Sequence, residues 1–386
     1  MRKTYRFRAY PTKSQDKLIE NHFDRSRFLY NKLLETNKKS YEETGKSVLG
    51  YDLLKTIPII KNEYSFLKDT YSQVFQDVGK RVDLAYKHFF RRVKSGEKPG
   101  YPRFKGKHRY SSITYPQNNG SFSIENDAVT ISKIGRVKIC KHREVVGDIK
   151  TLTIKKTSSG KYYILISCDN IPVVKVKTNI DRVVGIDLGI KTFAYLSDKT
   201  KIENPRFLKK EEKELTKACR ALSRQPKGTS LRAKARRKLC KIYERITNKR
   251  DNFSHQESRK LIDNYDLVIL EDLKIDKMLQ DGFRNLNKNI CDVSWSDFVN
   301  KCIYKAEEAG KHIIKVPPEN TTQKCSNCNK IVKKSLRDRV HKCECGSNLD
   351  RDLNAAINIF NLGLAKAKQK GMGIHSLAEM PRSPRL

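Results

Sequence analysis

Three carboxylates in this chain stand where carboxylates are costly. Read at period two, the stretch 181–198 (DRVVGIDLGIKTFAYLSD) turns Val184, Ile186 and Leu188 one way and Gly185, Asp187 and Gly189 the other. An acid inside an apolar strand needs a cation or a hydrogen-bond donor to meet it. Its two neighbours lack side chains, so a bulky ligand could come close to Asp187; the alternative is an Asp facing a sheet edge. A second acid, Glu271, ends the apolar run in YDLVILEDL (265–273). Acids at strand ends are common, so Glu271 gains its meaning from Asp187. The third lies in LDRDLNAAINIF (349–360). Taken as a helix capped by Asp350, this segment sets Asp352, Ala355, Ala356 and Ile359 on one face, and the two Ala let that face lie close to a sheet. Asp352 is then the expected ligand and Asp350 mainly the cap, although Asp352 would also suit a helix N-terminus with no ligand at all.

Three carboxylates from separate elements can hold two Mg²⁺ ions about 3.5–4 Å apart, one activating a water and the other stabilising the leaving oxygen of a phosphodiester. No Ser–His–Asp arrangement or Gly-rich phosphate loop competes, and the eight His do not cluster. A second metal site is written in Cys325-x-x-Cys328 and Cys343-x-Cys345-Gly346. Two close Cys pairs resemble a zinc ribbon, except that the second pair has one intervening residue where two are usual. His341 is a spare ligand nearby. The other six Cys, scattered singly, are expected to be buried and inert.

Elements must hold these residues. Lys3–Tyr10 alternates, with Tyr5, Phe7 and Ala9 on one face and Arg6 and Arg8 on a basic solvent face. After Pro11, Thr12 and Gln15 form a capping box for a helix carrying Leu18, Ile19, Phe23, Leu29 and Leu33. A second long helix is expected over about 70–94. The segment 98–107 (KPGYPRFKGK) is turn-rich and basic, suited to gripping a nucleic-acid backbone through Tyr101, Arg103, Phe104 and Lys105. From 111 to 176 the pattern becomes short alternating strands, including a hairpin across Ser158-Ser159-Gly160. The first strand needs this sheet, so the helical block reads as an insertion into it. Near Asn179 a further domain begins with strands 183–188 and 192–196. A basic helical stretch at 207–263, broken at 225–228, is striped by Leu231, Ala235, Leu239, Ile242 and Ile246, and reads as a solvated hairpin, a duplex-contacting arm, or both. A helix at 294–308 and a strand at 312–316 follow.

The bulk numbers point to a polyanionic partner. Of 386 residues, 81 are Lys or Arg and 43 Asp or Glu, a net charge of +38 spread along the chain. Fifteen Phe and seventeen Tyr among these basic residues offer stacking surfaces for single strands or RNA. No apolar run of membrane-spanning length is present, and the basic start has no apolar signal-peptide core. The expectation is a cytoplasmic, nucleoid-associated protein with some cysteines on metal.

With these pieces assembled, the chain resembles the TnpB family of transposon-encoded, RNA-guided DNA nucleases, relatives of the type V CRISPR effectors. The likeness rests on YRFRAYPTKSQ, RFLYN, KPGYPRFKGK, GIDLGIKTFA, VILEDL, TTQKCSNC and DRDLNAAINI, in that order. It implies a multidomain α/β chain: a wedge β-barrel (1–10 and 97–178) interrupted by a helical recognition lobe (11–96). An RNase H-like, RuvC-type nuclease domain follows (179–317 and 347–364, with a helical insertion at 205–260). A zinc ribbon at 318–346 (Cys325, Cys328, Cys343, Cys345) and a flexible tail at 365–386 complete it. It implies Asp187, Glu271 and Asp352 as the Mg²⁺ triad, a bound guide RNA from the transposon end, and double-stranded target DNA read next to a short adjacent motif. Arg6 and Arg8 join the 101–105 segment as expected nucleic-acid contacts. Two other activities use related parts: a guided DNA-binding repressor without cleavage, and an RNase H-like DNA transposase. The oligomeric state is not written in the sequence.

Overall fold

The computed structural model describes residues 2–374 apart from 173, 336 and 337, with the side chains of 108, 281 and 284 also left aside. The chain divides into two compact units, Met1–Pro172 and Val173–Leu386.

The first unit opens with β1 (Lys3–Tyr10), then α1 (Lys13–Thr44), α2 (Gly50–Glu63) and α3 (Ser72–Lys94). Six strands follow: β2 (Ser112–Tyr115), β3 (Phe122–Ile124), β4 (Ala128–Ile131), β5 (Gly135–Cys140), β6 (Asp148–Lys156) and β7 (Tyr162–Asp169). They form one antiparallel sheet in the order β2-β6-β7-β1-β5-β4-β3. The first strand therefore lies mid-sheet, between β7 and β5, with the helices interrupting the sheet in sequence. Tyr115 of β2 donates to the carbonyl of Ser132 beyond β4 (3.1 Å), so the sheet curls towards a barrel.

Side-chain alternation drives this packing. Tyr5, Phe7 and Ala9 are buried in one core with Ile19, Phe23, Leu29 and Leu33 of α1 and Val74, Val78 and Val82 of α3. The Thr12–Gln15 capping box starts α1, and Gly45 ends it in the left-handed region. Helix α2 has no counterpart in the expectations above. It carries Pro58 in its interior, which ordinarily costs about 3 kcal/mol, and burial of Leu53, Ile57 and Ile60 offsets that.

In the second unit the elements run β8 (Asn179–Ile180), β9 (Val183–Leu188), β10 (Thr192–Leu196), β11 (Lys201–Glu203), α4 (Phe207–Ser223), α5 (Ser230–Asn264) and β12 (Leu267–Glu271). They continue with α6 (Ile275–Asp281), α7 (Arg284–Val293), α8 (Trp295–Glu308), β13 (His312–Val316), β14 (Val340–Lys342), β15 (Asn348–Asp350), α9 (Arg351–Gln369) and β16 (Gly373–Ile374). The central sheet has the order β11-β10-β9-β12-β13. Only β10 runs against the rest, since β9 pairs with β12 and β12 with β13 in parallel. This is the RNase H-like arrangement. One face is covered by α8 through Trp295, Phe298, Val299 and Cys302; α9 covers the other, with Ile359 packed against Leu267 and Ile269.

Four expectations change. Helix α9 runs through Gln369, past the expected start of the tail at 365, because 365–369 are strong helix formers and Ala367 is fully buried. Gly373–Ile374 then pairs in parallel with β8; residues 375–386 lie outside the described residues. The α4–α5 hairpin buries Ala218, Ile242 and Ile246, whereas Leu231 at the start of its stripe is 59% exposed, because the hairpin core stops short of the turn. Of the six scattered cysteines only Cys168 and Cys302 are buried. Cys140, Cys219 and Cys291 are exposed, Cys140 because it falls on the outward register of β5.

Candidate active site and metal centre

Parallel pairing sets the first two carboxylates side by side. The β9–β12 register aligns Ile186 with Leu270. One step further along, Asp187 and Glu271 come level, and residues level in a parallel pair point to the same face. Glu271 is buried, and the Thr321 hydroxyl donates to its Oε1 at 2.6 Å. The Thr321 bond works against the burial that, with Glu319, pushes the Glu271 carboxyl above its ordinary value.

Helix α9 brings the third. The bare face of β9 admits a neighbour as expected, but that neighbour is the chain's own helix rather than a ligand. A Cβ on Gly185 would stand 2.5 Å from both the Ala356 carbonyl oxygen and the Phe360 nitrogen, so only glycine lets α9 lie this close. Asp352 sits in the first turn of that helix, where the Asp350 carboxylate caps its N–H at 2.9 Å. Asp350 is thus a cap, and Lys201 stands 3.8 Å from its other oxygen.

The trio is electrostatically coupled. Asp187 is half-buried, and its carboxyl is raised well above the ordinary carboxylate range: loss of water first, then the charges of Glu271 and Asp352, with Asp350 adding a little. Arg351 opposes this and also contacts Asp352 Oδ1 at 3.0 Å. Arg351, with Lys201 at Asp350, is a poor balance for four acids, and a divalent cation is the species that would correct it. Among the described residues, the four ribbon cysteines are the one set of three or more His, Cys, Asp or Glu ligand atoms within 4.8 Å of one another. The three carboxylates do not all lie within that distance of one another.

Sequence reasoning missed what fastens this arrangement. Asn354 and Asn358, one turn apart on α9, reach back to the opening loop of the ribbon. Asn358 donates to the carbonyls of Thr321 (2.8 Å) and Lys324 (2.6 Å). Asn354 donates to Lys324 (2.8 Å) and accepts from the Ser326 N–H (3.0 Å). Both are buried, so the loop that carries Thr321 and Cys325 is tied to the helix that carries Asp352. Two polar residues spaced i, i+4 inside an apolar helix face were the available signal.

The ribbon sulfurs converge. Cys325 and Cys345 are 3.7 Å apart and Cys328 and Cys343 are 3.5 Å apart. Tetrahedral zinc with bonds of about 2.3 Å places its sulfurs about 3.8 Å from one another, so the donor set fits that ion. The short second pair closes because Gly346 takes a left-handed turn (φ +84°) and its N–H reaches the Cys343 carbonyl at 3.0 Å. A hydrogen bond from the Ser347 backbone N–H, with others from Cys328, Cys343 and Asn327, lowers the Cys345 thiol to about 6, while its neighbour Cys343 is pushed up to about 12, so without metal Cys345 is the sulfur that holds the thiolate. His341 lies outside the sulfur cluster, buried and paired through Nδ1 with Lys334.

In the first unit, Arg6 lies over the Tyr163 ring at 3.9 Å, and Arg8 donates to the Tyr162 carbonyl at 2.9 Å. Arg6 is exposed and Arg8 half-buried. Tyr101 and Phe104 are exposed (49% and 59%). Asn31 of α1 holds the Lys105 backbone at both ends, accepting from its N–H at 2.7 Å and donating to its carbonyl at 3.1 Å.

Three family models cover separate parts of the chain: a helix-turn-helix domain at 1–46, one described as "Probable transposase" at 166–281, and the "Cas12f1-like, TNB domain" at 295–359. A protein of Streptomyces pristinaespiralis provisionally named an RNA-guided DNA endonuclease is 28% identical over 392 residues, spanning 100% of this chain and 95% of its own. The TnpB-like protein L770 of Acanthamoeba polyphaga mimivirus is 25% identical over 93% of this chain and 73% of its own. Over nearly its whole length the chain is similar to TnpB-like proteins. A solved Cas12f1–sgRNA–target DNA complex shares the fold, with a TM-score of 0.52 at 14% identity over 94% of this chain and 99% of that one. No described helix is long and apolar enough to cross a membrane.

Proposed function

We propose that this TnpB-like chain is an RNA-guided DNA endonuclease of a transposon, with Asp187, Glu271 and Asp352 as its catalytic carboxylates. The observation that carries the reading is their convergence from β9, β12 and α9, where burial first and then the charges of Glu271 and Asp352 raise the proton affinity of Asp187 with too little positive charge to offset them. Two Mg²⁺ ions held there would activate the attacking water and stabilise the leaving oxygen of a DNA phosphodiester. The chain's own residues prepare the place. Thr321 orients Glu271, Asp350 and Arg351 fix the start of α9, and Gly185 sets how near Asp352 comes. The cysteine set would hold one structural zinc, and the Asn354 and Asn358 bonds would transmit its rigidity to Thr321.

The relatives named as RNA-guided endonucleases, and the charge of +38, support a guide RNA and a target DNA as partners, with base pairing supplying sequence specificity. Arg6, Arg8, Tyr101, Arg103, Phe104 and Lys105 are the proposed contacts in the first unit. The test is protein co-expressed with its transposon-end RNA, reprogrammed to a chosen guide, acting on plasmids with the matched target and a randomised flank. Linearisation that needs both guide and Mg²⁺ is expected. Guided binding without cutting would make the chain a repressor, and cutting without RNA a transposase-like nuclease.

A further inference from the structure

A second concentration of chemistry lies in the first unit. A cavity of about 500 Å³ opens between α3 and the 98–112 segment. Arg81 and Arg92 line it from the helix, and Arg103, Lys105 and Arg109 from the segment; no acidic residue lines it. Arg81 is neutralised locally by Asp77 (2.6 Å). Among the described residues, Arg92, Arg103, Lys105 and Arg109 make no ion pair. Elsewhere on the helices of this unit some cations are matched among the described residues, as Arg25 is by Asp69 and Lys87 by Asp83, and others such as Lys80 and Lys94 are not; what sets the cavity apart is that its cations face one concavity.

The walls are built rather than loose. The Lys105 backbone is clamped by Asn31 at both ends, and the Tyr86 and Tyr101 hydroxyls bond at 3.0 Å, pinning the segment to α1 and α3. On the cavity wall the Tyr110 hydroxyl is buried beside Arg81, with no hydrogen bond of ordinary geometry among the described residues. Holding several cations around one concavity without anions is unfavourable unless an anion fills it. Guanidinium forks select phosphate, bidentately and with fixed geometry.

From this convergence we infer that the cavity is a nucleotide-phosphate site: it receives the phosphate and sugar of one nucleotide drawn out of a nucleic-acid strand, with Arg92, Arg103 and Arg109 on the phosphate. The site rests on the reading of the chain as a nucleic-acid-guided nuclease and adds where that chain grips one nucleotide. The same chemistry is offered by the guide RNA and by the target DNA, and the two binding steps separate them.

The experiment measures guide-RNA affinity, then target-DNA affinity of the assembled complex, across a salt series. It compares the wild type, Arg92→Ala/Arg109→Ala, the charge-keeping Arg92→Lys/Arg109→Lys, and a control, Lys80→Ala/Lys94→Ala, that removes two exposed cations of α3 outside the cavity. If two phosphate contacts are lost, the log–log salt slope of a single-stranded partner falls by about 1.4. That fall is expected in one of the two steps for the alanine pair, with at least about tenfold weaker binding at physiological salt. The lysine pair should keep most of the slope yet lose affinity, because the forks are gone, and the control should change both much less. The step that responds names the occupant as RNA or DNA. If the cavity pair and the control behave alike in both steps while the wild type still binds and cuts, the site is refuted and the nuclease reading stands. A wild type that bound neither partner would remove both.

Discussion

Gly185→Ala is the perturbation that most directly tests how the acidic trio is assembled. The added Cβ would sit 2.5 Å from the Ala356 oxygen and the Phe360 nitrogen, against the 3.4 Å at which ordinary contact begins. Both are backbone atoms of α9, so no side chain can rotate away. Helix α9 must therefore withdraw by about 0.9 Å, and Asp352 withdraws with it. Overpacking of this kind costs about 1–3 kcal/mol, and a misplacement near 1 Å at a reacting centre costs roughly a hundredfold in rate. Single-turnover cleavage of a matched target should fall by about that factor, with guided binding within threefold of wild type. Gly363→Ala supplies the comparison. Its Cβ would meet the buried Ile269 side chain rather than backbone atoms, and it lies about 16 Å along the helix from Asp352. This variant should lose stability but retain most of the cleavage rate. Wild-type cutting and an unchanged melting temperature in Gly185→Ala would refute the claim that this glycine sets the position of Asp352.

Other consequences are as specific. Thr321→Val keeps the shape but removes the donor to buried Glu271; a bond to a charged group is worth about 1.5–3 kcal/mol, so cleavage should drop at least tenfold, with Thr321→Ser recovering most of it. The folded-state proton affinity of Asp187 is raised, so without metal the unfolded chain releases that proton first as pH climbs above the ordinary carboxylate value. Metal-free protein should consequently lose stability from about pH 4 upward, and Asp187→Asn should remove part of that loss, seen as a higher melting temperature at neutral pH and none at acid pH. Metal analysis should find one zinc per chain, lost in Cys345→Ser and kept in His341→Ala, because the imidazole stands outside the sulfur cluster.

Much of the site was legible because its parts are local. Period-two alternation marked β9 and β12, and the Asp350 cap marked the start of α9. The three acids fell on strand ends and a first helical turn, where they would later meet. What was not legible depends on distance in sequence. The glycine face of β9 reads as space for a ligand until α9, more than 160 residues on, is known to fill it. Thr321, Asn354, Asn358 and Arg351 carry no chemistry of their own, and their importance appears only in bonds spanning 28 to 50 residues or in the field at Asp187. Helix α2 was hidden by Pro58, which local propensity counts as a breaker and the buried Leu53, Ile57 and Ile60 override. The ribbon's shortened Cys pair looked like a defect, yet Gly346 takes up the missing residue by its left-handed turn.

The central claim is that Asp187, Glu271 and Asp352 cut DNA once an RNA has chosen the place. The measurement that bears on it most directly is Asp187→Ala in complex with a programmed guide, assayed in parallel for target binding and for single-turnover cleavage in Mg²⁺. The account predicts binding at wild-type affinity with cleavage abolished. Cleavage at the wild-type rate would contradict it and move the chemistry away from β9.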